Sequence, residues 1–290
     1  MANRKPNGTT DEHRYFSGVF SYVDTETGEA RVSAPALTHR VVSHAQTAGY
    51  KAEKEAQEWR ERDQRHFTAS NMRNLHEVYS ALTTAQCGYL MRLQCSVEYA
   101  TGRIVKPDKS PMTTGDMKRA LGLSRKSSTF YDFLDEAKAH GIITESAGNY
   151  YVNQRYHFRG AFSDQYVVKS YATKVKQVYR EVKAADIGLI YRMLPYVHME
   201  TNALCDNPFE EDPQKIRWFS RKGLAEAIGV SPSELSRRLP KMTFGEEYVI
   251  ARIKVGGSEK YTFNPNVFYR RNTQPDDTLT AMFNVKKDGK

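Results

Sequence analysis

Two short stretches of this 290-residue chain carry side chains suited to reading a polyanion. The first holds Ser124, Arg125, Lys126, Ser128, Thr129 and Asp132; the second holds Ser231, Ser233, Ser236, Arg237 and Arg238. Hydroxyls both donate and accept, guanidinium groups fork onto guanine or phosphate, and a carboxylate accepts from a cytosine amine. The combination fits the base edges of a major groove. Each stretch opens on a Gly-apolar-Ser triplet, Gly122-Leu123-Ser124 and Gly229-Val230-Ser231. Such a triplet supplies what a turn between two helices needs: a residue tolerant of positive φ, an apolar plug, and a hydroxyl to cap the following helix. Downstream, Phe130, Phe133, Leu134 and Ala137 recur at i, i+3, i+4 and i+7, which turns the polar residues to the opposite side. Leu235 and Leu239 play that part in the second stretch, and Pro232 stands in the first turn, where a missing N–H costs no hydrogen bond.

The elements that must position these stretches occur twice. Gly88-Tyr89-Leu90-Met91-Arg92-Leu93 matches Gly188-Leu189-Ile190-Tyr191-Arg192-Met193 at an offset of 100, and the offset has grown to 107 at Gly122 and Gly229. The added length falls in the loop Asn207 to Gln214, which carries two prolines and three acids. In the first copy Thr84 is placed to cap a helix bearing Leu90, Leu93 and Val97, followed by a strand-like Arg103-Ile104-Val105. Thr113 or Thr114 precedes the next helix, and Ser220 is its counterpart. Both copies close with a β-hairpin, Ile142 to Val152 and Tyr248 to Phe263, whose tips place Asn149 and Lys260 within reach of a phosphate or a minor groove. Tyr150, Tyr151, Tyr261 and Phe263 are expected to pack on the core. Between the copies, Val168, Tyr171, Val175, Val178 and Val182 read as a helical stripe with Lys169, Lys174, Lys176, Arg180 and Lys183 outside it. Two roles stay open for this connector: Lys174 and its neighbours lie along phosphates, or the segment is simply the first helix of the second domain.

Helix, turn, helix and hairpin in this order is the plan of a winged helix. The duplicated region, about residues 74 to 272, resembles the winged-helix replication initiators of plasmids and phages, and the first copy, Leu82-Thr83-Thr84-Ala85-Gln86 through Gly141-Ile142-Ile143, also resembles MarR-type regulators. The resemblance implies a sequence-specific protein on double-stranded DNA that recognises repeated origin sites in a bacterial or phage-infected cytoplasm. It implies a helicase of the replication machinery and a second copy of the chain, as a homodimer, as further partners. A transcriptional regulator uses the same surfaces, and a protein-interaction module without DNA binding uses the same fold. Both remain alternatives.

Composition fits a polyanionic partner: 43 Lys and Arg stand against 34 Asp and Glu, a formal charge of +9. Hydrophobic residues make up 39%, enough for real cores, so global disorder is excluded. Three cysteines without a close pair, Cys87, Cys95 and Cys205, fit a reducing compartment. No apolar run spans a bilayer, so no membrane partner is expected. Enzymatic work is not expected either. A GxxxxGK[ST] loop is absent, which leaves strand separation to the helicase; the eight histidines are scattered rather than paired, which disfavours metal-dependent nicking. His198, Glu200 and Cys205 lack the spacing of a metal site, and no cofactor is expected. The fold class expected is mainly α with small β-hairpins, that is α+β. It comprises a flexible tail over 1–12, an N-terminal hairpin (Tyr15 to Val32) and charged helix (Ala48 to Arg65) within 13–70, winged-helix domains over 71–163 and 164–272, and a tail over 273–290.

Overall fold

The computed structural model describes residues 19–35, 42–61, 63, 65–161, 166–212, 214–255 and 258–284. The expected tail over 1–12, residues 15–18 of the first hairpin, the Gly256-Gly257 tip of the last one and the final six residues lie outside them. The chain divides into two compact units, Met1–Glu61 and Arg62–Lys290.

In the first unit β1 (Phe20–Val23) pairs antiparallel with β2 (Ala30–Ser33). Asp24 Oδ1 accepts from the Glu26 N–H at 3.0 Å and Gly28 takes φ +72°, so the Asp- and Gly-bearing turn forms where expected. Helix α1 (His44–Glu61) starts four residues before the expected Ala48. Ser43 explains the shift: its Oγ accepts from the Gln46 N–H at 3.1 Å while Gln46 Oε1 accepts from the Ser43 N–H at 3.0 Å, a reciprocal cap.

The second unit is a mixed α+β body of helices and small antiparallel sheets. Its first half runs β3 (Phe67–Asn71), α2 (Leu75–Ala81), α3 (Thr84–Gln94), α4 (Thr114–Ala120), α5 (Ser127–Ala139), β4 (Ile143–Ser146), β5 (Asn149–Val152) and β6 (His157–Phe158). The second half runs β7 (Val167–Tyr171), α6 (Ala172–Glu181), α7 (Ala184–Met193), α8 (Arg221–Ala227), α9 (Pro232–Arg238), a small hairpin of β8 (Thr243–Phe244) and β9 (Glu247–Tyr248), then β10 (Ile250–Val255), β11 (Ser258–Phe263) and β12 (Phe268–Tyr269). Helix α10 (Asp277–Ala281) lies in the segment expected as a tail; Asp276 caps it, and Phe283 beyond it is fully buried.

The halves repeat in pairing as well as in order. The four-stranded sheet runs β12-β7-β3-β6, with β3 and β7 antiparallel about the pair Ala69↔Lys169. Ala69↔Phe158 and Ser70↔His157 on one flank have their equivalents in Lys169↔Tyr269 and Ser170↔Phe268 on the other. The isolated bridges Val97↔Ile104, Arg103↔Tyr151 and Val105↔Pro111 recur as Val197↔Leu204, Ala203↔Thr262 and Cys205↔Trp218. Every one of these pairs maps onto its partner by exchanging the halves, which is a local two-fold relation. A single hydrophobic core runs through both halves.

Helices α3 and α7 meet at the centre of that relation. A Cβ built at Gly88 would lie 2.0 Å from the Ala184 carbonyl oxygen, and one at Gly188 only 1.6 Å from that of Thr84. Only glycine permits so close an approach. Helix α3 is capped one residue earlier than expected, by Thr83 rather than Thr84: Thr83 Oγ1 accepts from the Gln86 N–H at 3.3 Å and Gln86 Oε1 from the Thr83 N–H at 2.8 Å.

The connector departs from its expected helical reading at one end. Val167–Tyr171 is strand β7, so Val168 and Tyr171 belong to the central sheet and Lys169 is buried, its Nζ donating to the Arg271 carbonyl at 2.6 Å. The run Tyr-Val-Val is strongly strand-forming, and β3 and β12 take up its backbone hydrogen bonds from either side. The helix begins only at Ala172 and keeps Val175 and Val178 buried.

Beneath the sheet, His157 is fully buried with Nδ1 2.9 Å from Ser70 Oγ and Nε2 2.7 Å from the Tyr191 hydroxyl. Burial pushes its pKa from 6.5 down to about 3, so the ring is neutral at physiological pH. An unfolded chain protonates it near pH 6.5. The stability that depends on the neutral ring is therefore complete above that pH and falls by roughly 1.4 kcal/mol per pH unit as the medium is acidified toward pH 3. His157→Phe, which copies Phe268 at the equivalent position, is expected to remove that slope and to lower stability at neutral pH, because the Tyr191 hydroxyl loses its partner. Denaturation curves of the two proteins between pH 7 and 4 check this; parallel pH dependences would contradict it.

Candidate nucleic-acid interface

The two polar stretches sit in equivalent settings. In the first, Thr113 caps α4, accepting from the Asp116 N–H at 3.2 Å while Asp116 Oδ2 accepts from the Thr113 N–H at 2.9 Å. Gly122 turns the chain with φ +67°, Leu123 plugs the corner and is buried, and the Tyr179 hydroxyl of α6 donates to the Leu121 carbonyl at 3.2 Å. Ser124 does not cap the next helix. Residues 123–126 close a turn of their own, with the Lys126 N–H on the Leu123 carbonyl at 2.9 Å, so α5 begins only at Ser127 and Lys126 occupies the cap position without a side-chain hydrogen bond. Phe130, Phe133, Leu134 and Ala137 are all buried, as the spacing predicts, and Phe133 packs edge-on against Tyr89 of α3. On the other side Ser124, Arg125, Lys126, Ser128 and Asp132 are exposed and Thr129 is half-buried.

In the second stretch Ser220 caps α8 and Gly229 takes φ +73°. Ser231 caps α9 as expected, its Oγ accepting from the Glu234 N–H at 3.1 Å and lying 3.0 Å from Ser233 Oγ. Pro232 occupies the first turn and Leu235 is buried. Ser231, Ser233 and Arg237 are exposed. Ser236 is half-buried; its hydroxyl donates to the Pro232 carbonyl at 2.9 Å.

Four further expected residues are also engaged within the chain. Arg238 is held by Asp186 of α7 at 2.5 Å and by Glu234 at 2.7 Å, a network that fixes α9 on α7 rather than reaching outward. Lys174 pairs with Glu247 at 2.7 Å, and that contact holds the Glu247 carboxyl below its usual pKa against the opposing effect of burial. Lys260 lies over the Trp218 ring at 4.3 Å, and the Asn149 amide donates to the Ala147 carbonyl across the tip of the first hairpin. Tyr261 and Phe263 are buried and Tyr150 and Tyr151 half-buried, so these aromatics pack against the body. Lys138 Nζ reaches Glu145 at 2.6 Å and so ties the end of α5 to β4.

Two cations on α8 escaped the sequence reading. Arg221 and Lys222 are exposed, and Arg221 Nη1 donates to Ser236 Oγ at 3.4 Å, which places it against α9. Their position directly after the cap Ser220 was the available signal, since the first turn of α8 lies beside α9.

His198 is engaged within the chain and the three cysteines are buried. His198 bonds Thr201 Oγ1 at 3.2 Å and the Glu210 carbonyl at 2.9 Å. Cys87, Cys95 and Cys205 are buried, and burial raises their thiols to about 12, about 11 and about 12. Among the described residues no three His, Cys, Asp or Glu side chains converge so as to hold a metal ion, and no helix is long and apolar enough to cross a membrane. Neither the known family models, nor the curated proteins, nor the solved structures contain a match to this chain.

Proposed function

We propose that the chain is a sequence-specific double-stranded DNA-binding protein in which two winged helices, Thr113 to Val152 and Ser220 to Phe263, present α5 and α9 to major grooves. One observation carries this reading. In both halves the helix after a glycine-centred turn buries its apolar stripe and leaves a hydroxyl-bearing, cationic edge in solvent, with a hairpin beside it. Arg125 and Arg237 are the residues best suited to bidentate contact with guanine.

Arg125→Ala and Arg237→Ala are each expected to relax base preference in one part of the site at a cost of about 1–3 kcal/mol, leaving random DNA nearly unaffected. Selection of genomic fragments by the wild-type and variant proteins tests this, and equal losses on random and selected duplexes would count against it. The role assigned is replication initiation in a plasmid or phage, on the resemblance of the tandem arrangement to such initiators. Deleting the gene is expected to abolish replication of its replicon. Normal replication with altered transcription reassigns the protein as a regulator.

A further inference from the structure

If the chain binds DNA as proposed, a reading on which this inference rests, the local two-fold relation bears on the kind of site it recognises. Heads related by a two-fold axis meet the two strands of a duplex in opposite directions, so the symmetry of a site mirrors that of the protein. Here the relation is built into one chain. It passes between Ala69 and Lys169 in the sheet, and the reciprocal approaches of Gly88 to Ala184 and Gly188 to Thr84 centre it on Gln86 and Asp186 in the helices. Those two central residues hold the reading helices. Gln86 Nε2 donates to the Asp132 carbonyl of α5 at 3.5 Å, and Asp186 accepts from Arg238 of α9 at 2.5 Å. Each head is thus fastened to the frame at the equivalent point.

The heads themselves differ. Helix α5 has 13 residues and is preceded by Arg125 and Lys126, whereas α9 has seven, lies between Ser231 and Pro240, and spends Arg238 on Asp186. We infer that a single chain reads an inverted pair of unequal half-sites at one fixed spacing, rather than a direct repeat or a true palindrome. The continuous core shared by the halves fixes their relative orientation and phase.

The test starts from sites selected from random duplex by the full chain. The two half-sites are assigned by which one Arg125→Ala and which one Arg237→Ala relaxes, and are then rebuilt in inverted order, in direct order, and in inverted order with a half-turn insertion of about five base pairs. The inverted duplex is expected to bind one chain per site. The direct and inserted duplexes are expected to fall to the affinity of a lone half-site, a loss of about 10²-fold or more, because the second contact no longer enjoys the effective concentration of a linked head. Equal affinity for direct and inverted duplexes overturns the inference while leaving specific DNA binding intact. So does a palindrome occupied by two chains, or a selected site that responds to only one of the arginine substitutions. Selection that enriches no sequence at all defeats the DNA-binding reading itself, and is thereby distinguishable.

Discussion

Replacing Gly188 by alanine is expected to destabilise the second unit by about 3 kcal/mol, the upper end of ordinary overpacking costs. In a solvent-facing helix the same change stabilises by about 1 kcal/mol, since glycine is the poorer helix former. The sign reverses here because the added methyl carbon would stand 1.6 Å from the Thr84 carbonyl oxygen and 2.6 Å from its carbon. Both are backbone atoms in the first turn of α3, so relief requires moving a helix and the core beneath it. Gly88→Ala meets the Ala184 carbonyl at 2.0 Å and is expected to cost a similar amount. Gly115→Ala on α4 is the control: its nearest neighbour is Thr113 Oγ1 at 3.6 Å, so its effect should be neutral to mildly stabilising. With roughly 2–4 °C of melting temperature per kcal/mol for a domain of this size, Gly188→Ala should melt roughly 6–12 °C below the wild type. Melting within a degree of the wild type would show that α3 and α7 are not in this close contact.

Raising salt from 50 to 200 mM is expected to weaken DNA binding by about 10³- to 10⁵-fold, the behaviour of a protein that displaces counterions from some six to ten phosphates. Exposure and pairing decide which cations are expected to contribute. Lys126 and Lys222 are exposed, and alanine at either should lower the slope of log affinity against log salt by about one unit. Lys174 is already compensated by Glu247, so Lys174→Ala should leave that slope unchanged. Titrations at four or five salt concentrations separate these variants. A shallow slope shared by all of them would remove the electrostatic basis of the proposed interface, and the protein-interaction alternative would then account better for the exposed helices.

The sequence was most informative where chemistry is local. Gly122 and Gly229 take positive φ because the turns require it, Ser231 and Ser220 cap because a hydroxyl beside free N–H groups has little else to do, and the stripe Phe130, Phe133, Leu134, Ala137 is buried because four apolar groups share one helical face. Ser124 shows the limit of the same reasoning. It matches Ser231 in sequence, yet an added turn over residues 123–126 withdraws it from the helix end. The small strands were less legible. β6 and β12 have two residues each, and β3 and β7 are held by partners about a hundred residues away, so no local periodicity announces them.

From the residues alone came the duplication, the two turns and the polar edges, since each depends on neighbours within one or two helical turns. The hold of Asp186 on Arg238, the fates of Lys174 and Lys169, and the relation between the halves were settled only by the folded chain. Asp186, Glu247 and the Arg271 carbonyl come into range of those cations through packing between segments 52 to 102 positions apart. A charge is free or engaged according to what the fold brings beside it, and spacing along the chain carries no record of that distance.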